Sequence, residues 1–334
     1  MRSLAGFIVK RNESALFVAV LLTVIVFSLS SPYFLTIPNF VNLIEAWSVT
    51  TILAAGAFVV LVSGGIDISF TATVAATQYL AATLMARHGY PPAIALSLSA
   101  ALGIAMGSIN AMLTHYLRVV SIIVTIATGS IYYALLIYIT NAEEIYNLPD
   151  WWSNRAASFK FELASGDTVR ITMSIMVMVV VVLMTHHLMN RTRIGRQVYA
   201  LGGNPEAASR IGIGVLRVQL LAYGYLGFLS AVAGFIQASR VQQAVPTAMA
   251  GQELNVLAVA ILGGASLVGG LGSVGGVVLA VLFLSMLQNG LTLVGVSSYF
   301  FGVVIGLAIL ISISMTSFAE KHAHRWHKKP RASR

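Results

Sequence analysis

Along most of the chain apolar residues follow one another without polar interruption, and charges are confined to short intervals between the runs. Stretches free of Asp, Glu, Lys and Arg cover residues 14–44, 46–66, 68–86, 88–117, 119–142, 171–190, 218–239 and 254–319. A bilayer crossing needs about 20 apolar residues, so the last window alone holds three. The pattern predicts helices at 14–31, 46–63, 69–86, 92–114, 119–140, 171–189, 219–238, 253–268, 273–294 and 298–317. The runs lack the alternation of a membrane barrel, and a backbone in lipid must satisfy its own hydrogen bonds, which selects helices. The expected fold class is an all-α integral membrane protein with about ten transmembrane helices. Composition agrees, since 57% of the 334 residues are hydrophobic and 9% charged, against about 25% charged in a soluble domain.

Charge then sets the orientation, because cytoplasmic loops retain Lys and Arg. Fifteen of the twenty fall at the N-terminus (Arg2, Lys10, Arg11), at Arg118, in the loop 190–218 (Arg191, Arg193, Arg196, Arg210, Arg217) and in the tail after Phe318. Arg87, Arg155, Lys160, Arg170 and Arg240 lie on the other side, beside most of the acids. Ten crossings with both termini cytoplasmic fit that split. The chain divides into one transmembrane domain over 1–334, with a cytoplasmic loop at 190–218, an extracytoplasmic loop at 141–170 and a basic cytoplasmic tail at 319–334. The net charge of +9 thus reports topology and calls for no nucleic acid. Residues 15–31 lack a small-residue cleavage site and lead through Pro32 and Pro38 into further apolar runs, so they read as a retained first helix. The absence of cysteine excludes disulfides and thiolate metal sites.

Gly270, Gly272 and Gly275 spell G-x-G-x-x-G inside the run 261–276. A dinucleotide site needs a preceding strand, a βαβ unit and an acid about 20 residues on. None is present, since the next acid after Glu253 is Glu320, and no lysine follows a glycine as a phosphate-binding loop requires. The glycines instead allow close helix contact and a helix break. Ser63-Gly64-Gly65-Ile66-Asp67 forms a second break in the first half, and paired glycine-interrupted segments point to a transport pathway.

Carriers driven by a proton gradient place ionisable groups in mid-membrane. Here Glu45, Asp67 and Glu253 lie near helix ends and His115 sits beside Arg118, so the energy is expected from another chain. Its expected docking point is Gly202-Gly203-Asn204-Pro205-Glu206-Ala207-Ala208-Ser209-Arg210-Ile211-Gly212. Asn204 suits an N-cap, Pro205 the first helical position, Glu206 the positive end of the dipole and Gly212 the terminator. About seven helical residues result, too few to be stable alone in water.

At these residues the sequence resembles the permease subunits of ribose-type monosaccharide ABC importers. The match rests on SGGIDIS at 63–69, IIVTIAT at 122–128, TRIGRQVYALGGNPEAASRIGI at 192–213, AVAILGGASLVGGLGSVGG at 258–276 and LQNGLTLVGVSSY at 287–299. The resemblance implies a type II importer permease bundle in the bacterial inner membrane. It makes Glu206-Ala207-Ala208 with Gly212 a coupling helix that seats in a separate ATPase subunit, where ATP and magnesium are bound. No cofactor is expected on this chain, and no catalysis of its own. The implied partners are that ATPase, a second permease copy or paralogue, and a periplasmic sugar-binding protein. Three departures stand out: Ile68-Ser69-Phe70-Thr71 replaces the family's Leu-Ser-Val-Gly, Val119-Val120-Ser121 lacks its proline, and Asn255 stands at a commonly acidic position. They imply an unusual substrate within the sugar class or a specialised half of a heterodimer.

A neutral sugar needs weak, exchangeable hydroxyl and amide partners along its route. The candidates are Gly64, Gly65, Asp67, Gln78, Asn110, Thr125, Thr128, Gln237, Asn255, Gln288 and Asn289. For each polar one an interhelical hydrogen bond is the competing assignment, and Asp67 is placed to cap the next helix with Ser69. Glu143, Glu144, Asp150, Trp151 and Trp152 in the loop 141–170 read either as a landing for the binding protein or as an interfacial aromatic belt. His322, His324 and His327 lie among Lys and Arg, which favours anionic lipid headgroups over a metal. His186-His187 reads as a helix end, and no protease motif occurs. Permeases for branched-chain amino acids or nucleosides, and an ion-driven secondary transporter, are the alternatives.

Overall fold

The computed structural model describes residues 2–146, 148–153, 158–162, 168–307 and 310. Arg155, the tail 319–334 with its histidines, and the far half of the helix expected at 298–317 lie outside the described residues.

The chain is mostly helical: α1 Arg2–Ser30, α2 Ile37–Ala46, α3 Ser48–Val62, α4 Phe70–Ala82, α5 Pro92–Leu117, α6 Ser121–Thr140, α7 Met173–Arg191, α8 Arg193–Gly203, α9 Pro205–Arg210, α10 Val215–Val241, α11 Glu253–Leu262 and α12 Val274–Leu293. Among the described residues six helices are long and apolar enough to cross a membrane, and seven if α2 and α3, bent by 49° across Trp47, form one span. The segment expected at 69–86 is α4 prolonged by a π-helical turn, Thr83–Arg87. The one expected at 253–268 stops earlier, because α11 ends at Gly263 and the chain turns away. A short apolar helix, Ser298–Leu307, follows α12.

α10 is the hub, packed against α3, α4 and α5. Small residues let the backbones meet, as expected where lipid gives no hydrophobic drive between helices. Gly103 of α5 lies against the Gly227 backbone and Gly107 against Tyr223 of α10, while Gly234 abuts the Val74 carbonyl of α4. α1 packs along α12 in the same direction, since Glu13 meets Ser273 at one end and Phe27 meets Gly290 at the other.

Two expectations for the segment 141–170 need correction. The fold is not purely helical, because β1 (Ser158–Glu162) and β2 (Thr168–Thr172) form an antiparallel hairpin pairing Phe159 with Ile171 and Phe161 with Val169. Period-two alternation in SFKFE and TVRIT carries that signal. Nor is Trp152 part of an interfacial belt. It is fully buried and stacks on Phe235 of α10 with ring centroids 4.6 Å apart, whereas Trp151 stays exposed.

Candidate functional site

The segment 190–218 folds as two short helices around one corner. α8 starts at Thr192, whose hydroxyl accepts the Gly195 N–H at 3.1 Å. At the other end Asn204 serves both helices, because its N–H donates to the Ala200 carbonyl at 3.1 Å while its Oδ1 accepts the Ala207 N–H at 2.9 Å. Pro205 opens α9, and Glu206 lies in its first turn. Termination follows the Schellman pattern: Gly212 N–H donates to Ser209 and Ile213 N–H to Ala208, with Gly212 at φ 84°. α9 has six residues rather than seven, and of them only Ala208 is buried. Glu206 and Arg210 face each other at 3.9 Å on the exposed side.

The two glycine breaks meet beneath α8. Residues 63–69 separate α3 from α4, and residues 263–273 separate α11 from α12. The Gly270 N–H donates to the Val62 carbonyl at 2.8 Å, joining one break to the other. Gly202 at the end of α8 fits between them, so close that a Cβ there would lie 2.6 Å from the Gly270 nitrogen. Gly269 likewise has room only for hydrogen, with the Gly64 Cα 2.7 Å from where its Cβ would be. The glycine run therefore serves backbone contact. Tyr199 of α8 completes the junction by donating to the Gly272 carbonyl at 2.9 Å. Burial pushes its phenol up to about 12, so it stays a donor at ordinary pH.

Of the candidate pathway residues, Asp67, Asn110 and Thr125 come together around the first break. Asp67 accepts from the Ser69 N–H and hydroxyl, both at 2.8 Å, and from Asn110 Nδ2 at 3.2 Å. Asn110 also donates to Ser69 Oγ at 2.7 Å. Ser69 is the N-cap of α4 but makes no side-chain cap bond. Asp67 therefore orders the approach to α4 and ties it to α5, beyond the simple cap expected. Thr125 Oγ1 accepts from Ile68 N–H and donates to Ile66 O, both at 3.3 Å, and Ser121 Oγ accepts from Ile66 N–H at 2.8 Å. Thr128 is buried one turn along α6, bonded to the Thr125 carbonyl. Gly64 takes φ 88°, and Gly65 backs onto the Tyr223 ring.

The other candidates are dispersed. Gln78 is buried in α4 with neither amide atom hydrogen-bonded among the described residues. Gln237 lines a polar cavity of about 510 Å³ with Glu45, Ser239, Arg240 and Gln242. Asn255 is exposed and donates to Gln252 at 3.0 Å. Asn289 pairs reciprocally with Asn39 at 2.9 and 3.0 Å, fastening α12 to α2. Gln288, next to it, is half-buried.

Sequence reasoning missed a third cluster. Thr71 donates to Glu253 at 2.6 Å, and Tyr133 donates to the Ala248 carbonyl at 3.2 Å beside them. Thr71 stands where the resembled family has glycine, so this departure creates a contact between the starts of α4 and α11. Its partners are 182 residues apart, which no local pattern reveals. Among the described residues no three His, Asp or Glu side chains gather as metal ligands.

Apolar spans interrupted at paired breaks, with a capped short helix held outside the bundle, define a multi-pass membrane protein of the permease kind. The chain belongs to the family described as branched-chain amino acid transport system / permease component, which matches residues 39–313. It is 33% identical over 302 residues to the ribose import permease protein of Escherichia coli (strain K12), covering 90% of this chain and 92% of that one. The ribose import permease protein of Bacillus subtilis (strain 168) is 35% identical over 298 residues, 89% and 90% of the two chains. The D-allose transport system permease protein of Escherichia coli (strain K12) is 31% identical over 307 residues, 91% of each. No solved structure gives a significant match.

Proposed function

We propose that this chain is the membrane-spanning subunit of an ABC importer for a monosaccharide, driven by a separate ATPase subunit and fed by an extracytoplasmic sugar-binding protein. One observation carries the coupling part: α9 is capped at both ends yet leaves all but Ala208 exposed. A helix this short gains little from propensity and needs a packing surface, so its exposed face awaits a partner. The sugar class follows from the named substrates of the similar permeases. An amino acid would want charged partners along its route, whereas the candidate residues are almost all neutral.

In this reading ten crossings place both termini in the cytoplasm of a bacterial inner-membrane protein, and the run of α1 along α12 in one direction supports that arrangement. Two copies, or this chain and a paralogue, enclose the route. Gln78, Asn110, Thr125 and the Thr71–Glu253 contact supply its weak polar partners, with ATP and magnesium held by the ATPase. The test is reconstitution of the complex in vesicles with labelled D-ribose, D-allose and D-galactose. ATP-dependent uptake of one of them is expected, and Glu206→Arg should weaken ATPase docking about tenfold or more through charge reversal. Uphill uptake by this chain alone under an ion gradient overturns the proposal.

A further inference from the structure

We infer that α8 is a rigid strut that drives both glycine breaks at once, with Tyr199 and Gly202 as the positioning residues that couple α9 to them. The inference rests on the coupling role proposed above and specifies how that role reaches the bundle.

Four observations carry it. First, Asn204 caps the end of α8 and the start of α9 together. No free residue is left between them to absorb a bend, so a displacement of α9 moves the end of α8. Second, the opposite end of α8 is fixed, because Gly195 abuts the Met189 backbone, with that Cα 2.6 Å from where a Cβ would be, and Thr192 closes the first turn. Val198 and Leu201 anchor the middle in the main core. Third, Gly202 touches the backbone of both breaks, at Val62 before the first and Gly270 in the second. Backbone contacts of this kind cannot yield by rotamer change, as side-chain contacts can. Fourth, the Tyr199 hydroxyl holds Gly272 across from the same end, and Gly270 N–H to Val62 O links the breaks to each other. Packed contacts with discrete arrangements transmit displacement in this way. The two breaks are thus expected to move in concert.

The chain has no cysteine, so single reporters are available. Val268→Cys reports on the second break, where Val268 is 86% exposed. Val120→Cys reports on the first, next to the Ser121 that binds Ile66. In the full complex in lipid vesicles, maleimide labelling rates are compared with and without ATP plus vanadate, and ATPase docking is measured in parallel. In the parent both reporters respond to nucleotide. In Tyr199→Phe the Val268→Cys response falls about fivefold, the equivalent of one intramolecular hydrogen bond, with docking unchanged. In Gly202→Ala both responses fall together per assembled complex. In Tyr199→Phe, a merely structural loss reduces assembled complex and docking instead, and overturns the inference. Parental responses in both variants overturn it too, while leaving the proposed function standing. Failure of the ATPase to dock on the parent sinks both. Should Gly202→Ala not fold, Tyr199→Phe decides alone, since it removes only a hydroxyl.

Discussion

The two breaks each part a pair of consecutive helices but are held by different means. The first, 63–69, is pinned by side chains. Asp67 gathers Ser69 and Asn110, while Ser121 and Thr125 hold the backbone of Ile66 and Ile68. Its one left-handed residue is Gly64. The second, 263–273, is pinned mainly by backbone, with the Tyr199 hydroxyl added at Gly272. Gly264, Gly269, Gly270 and Gly272 all take positive φ, and Ser266 N–H to Leu271 O closes the loop at 3.1 Å. A break built from side chains can exchange partners during a transport cycle. One held mainly by close backbone contacts has few side-chain partners to exchange, which suits the end that α8 grips.

This contrast gives a ranked set of expectations for unfolding midpoints in detergent. Gly270→Val should be the most damaging, because it combines φ 75° with a backbone neighbour 2.6 Å from the new Cβ. The left-handed penalty alone is about 1–2 kcal/mol, and overlap adds about 1–3 kcal/mol. If Gly270→Val unfolds at the parental midpoint, the second break is not held by close backbone contact. Asp67→Ala comes next, at about 2 kcal/mol, because it strands the Ser69 and Asn110 donors in a buried site. Combining it with Asn110→Ala should cost less than the sum of the two, and full additivity would count against a shared network. Thr71→Val removes the bond to Glu253 and should cost about 1 kcal/mol. Thr71→Gly restores the residue of the resembled family, loses the same bond and should cost more than Thr71→Val, since glycine in a helix adds about 1 kcal/mol. Arg210→Gln lies outside both breaks, and its exposed pair with Glu206 should leave the midpoint unchanged. A clear shift there would mean that α9 supports the fold itself.

What was legible in the sequence was local. Charge-free runs located the long helices, and Asn204, Pro205 and Gly212 fixed α9 because caps act within three or four residues. The glycines announced both breaks. Their meeting with Gly202 was not legible, since three backbone segments from distant parts of the chain touch only in the folded bundle. For the same reason Thr71–Glu253, Tyr199–Gly272 and Asn39–Asn289 went unforeseen. Trp152 misled because a tryptophan between charges looks interfacial, whereas Phe235 of α10 reaches out to cover it. The hairpin strands are only five residues each, so their alternation is brief beside the long apolar runs that flank them.

The pairing of α1 with α12 has a consequence for biogenesis. Glu13 finds its partner Ser273 only 260 residues later. At about 5–20 residues per second of synthesis, the first helix waits on the order of tens of seconds before its mate leaves the ribosome. It must endure that interval without its main packing partner, and the dense apolar run from Ala15 to Phe27 equips it to do so.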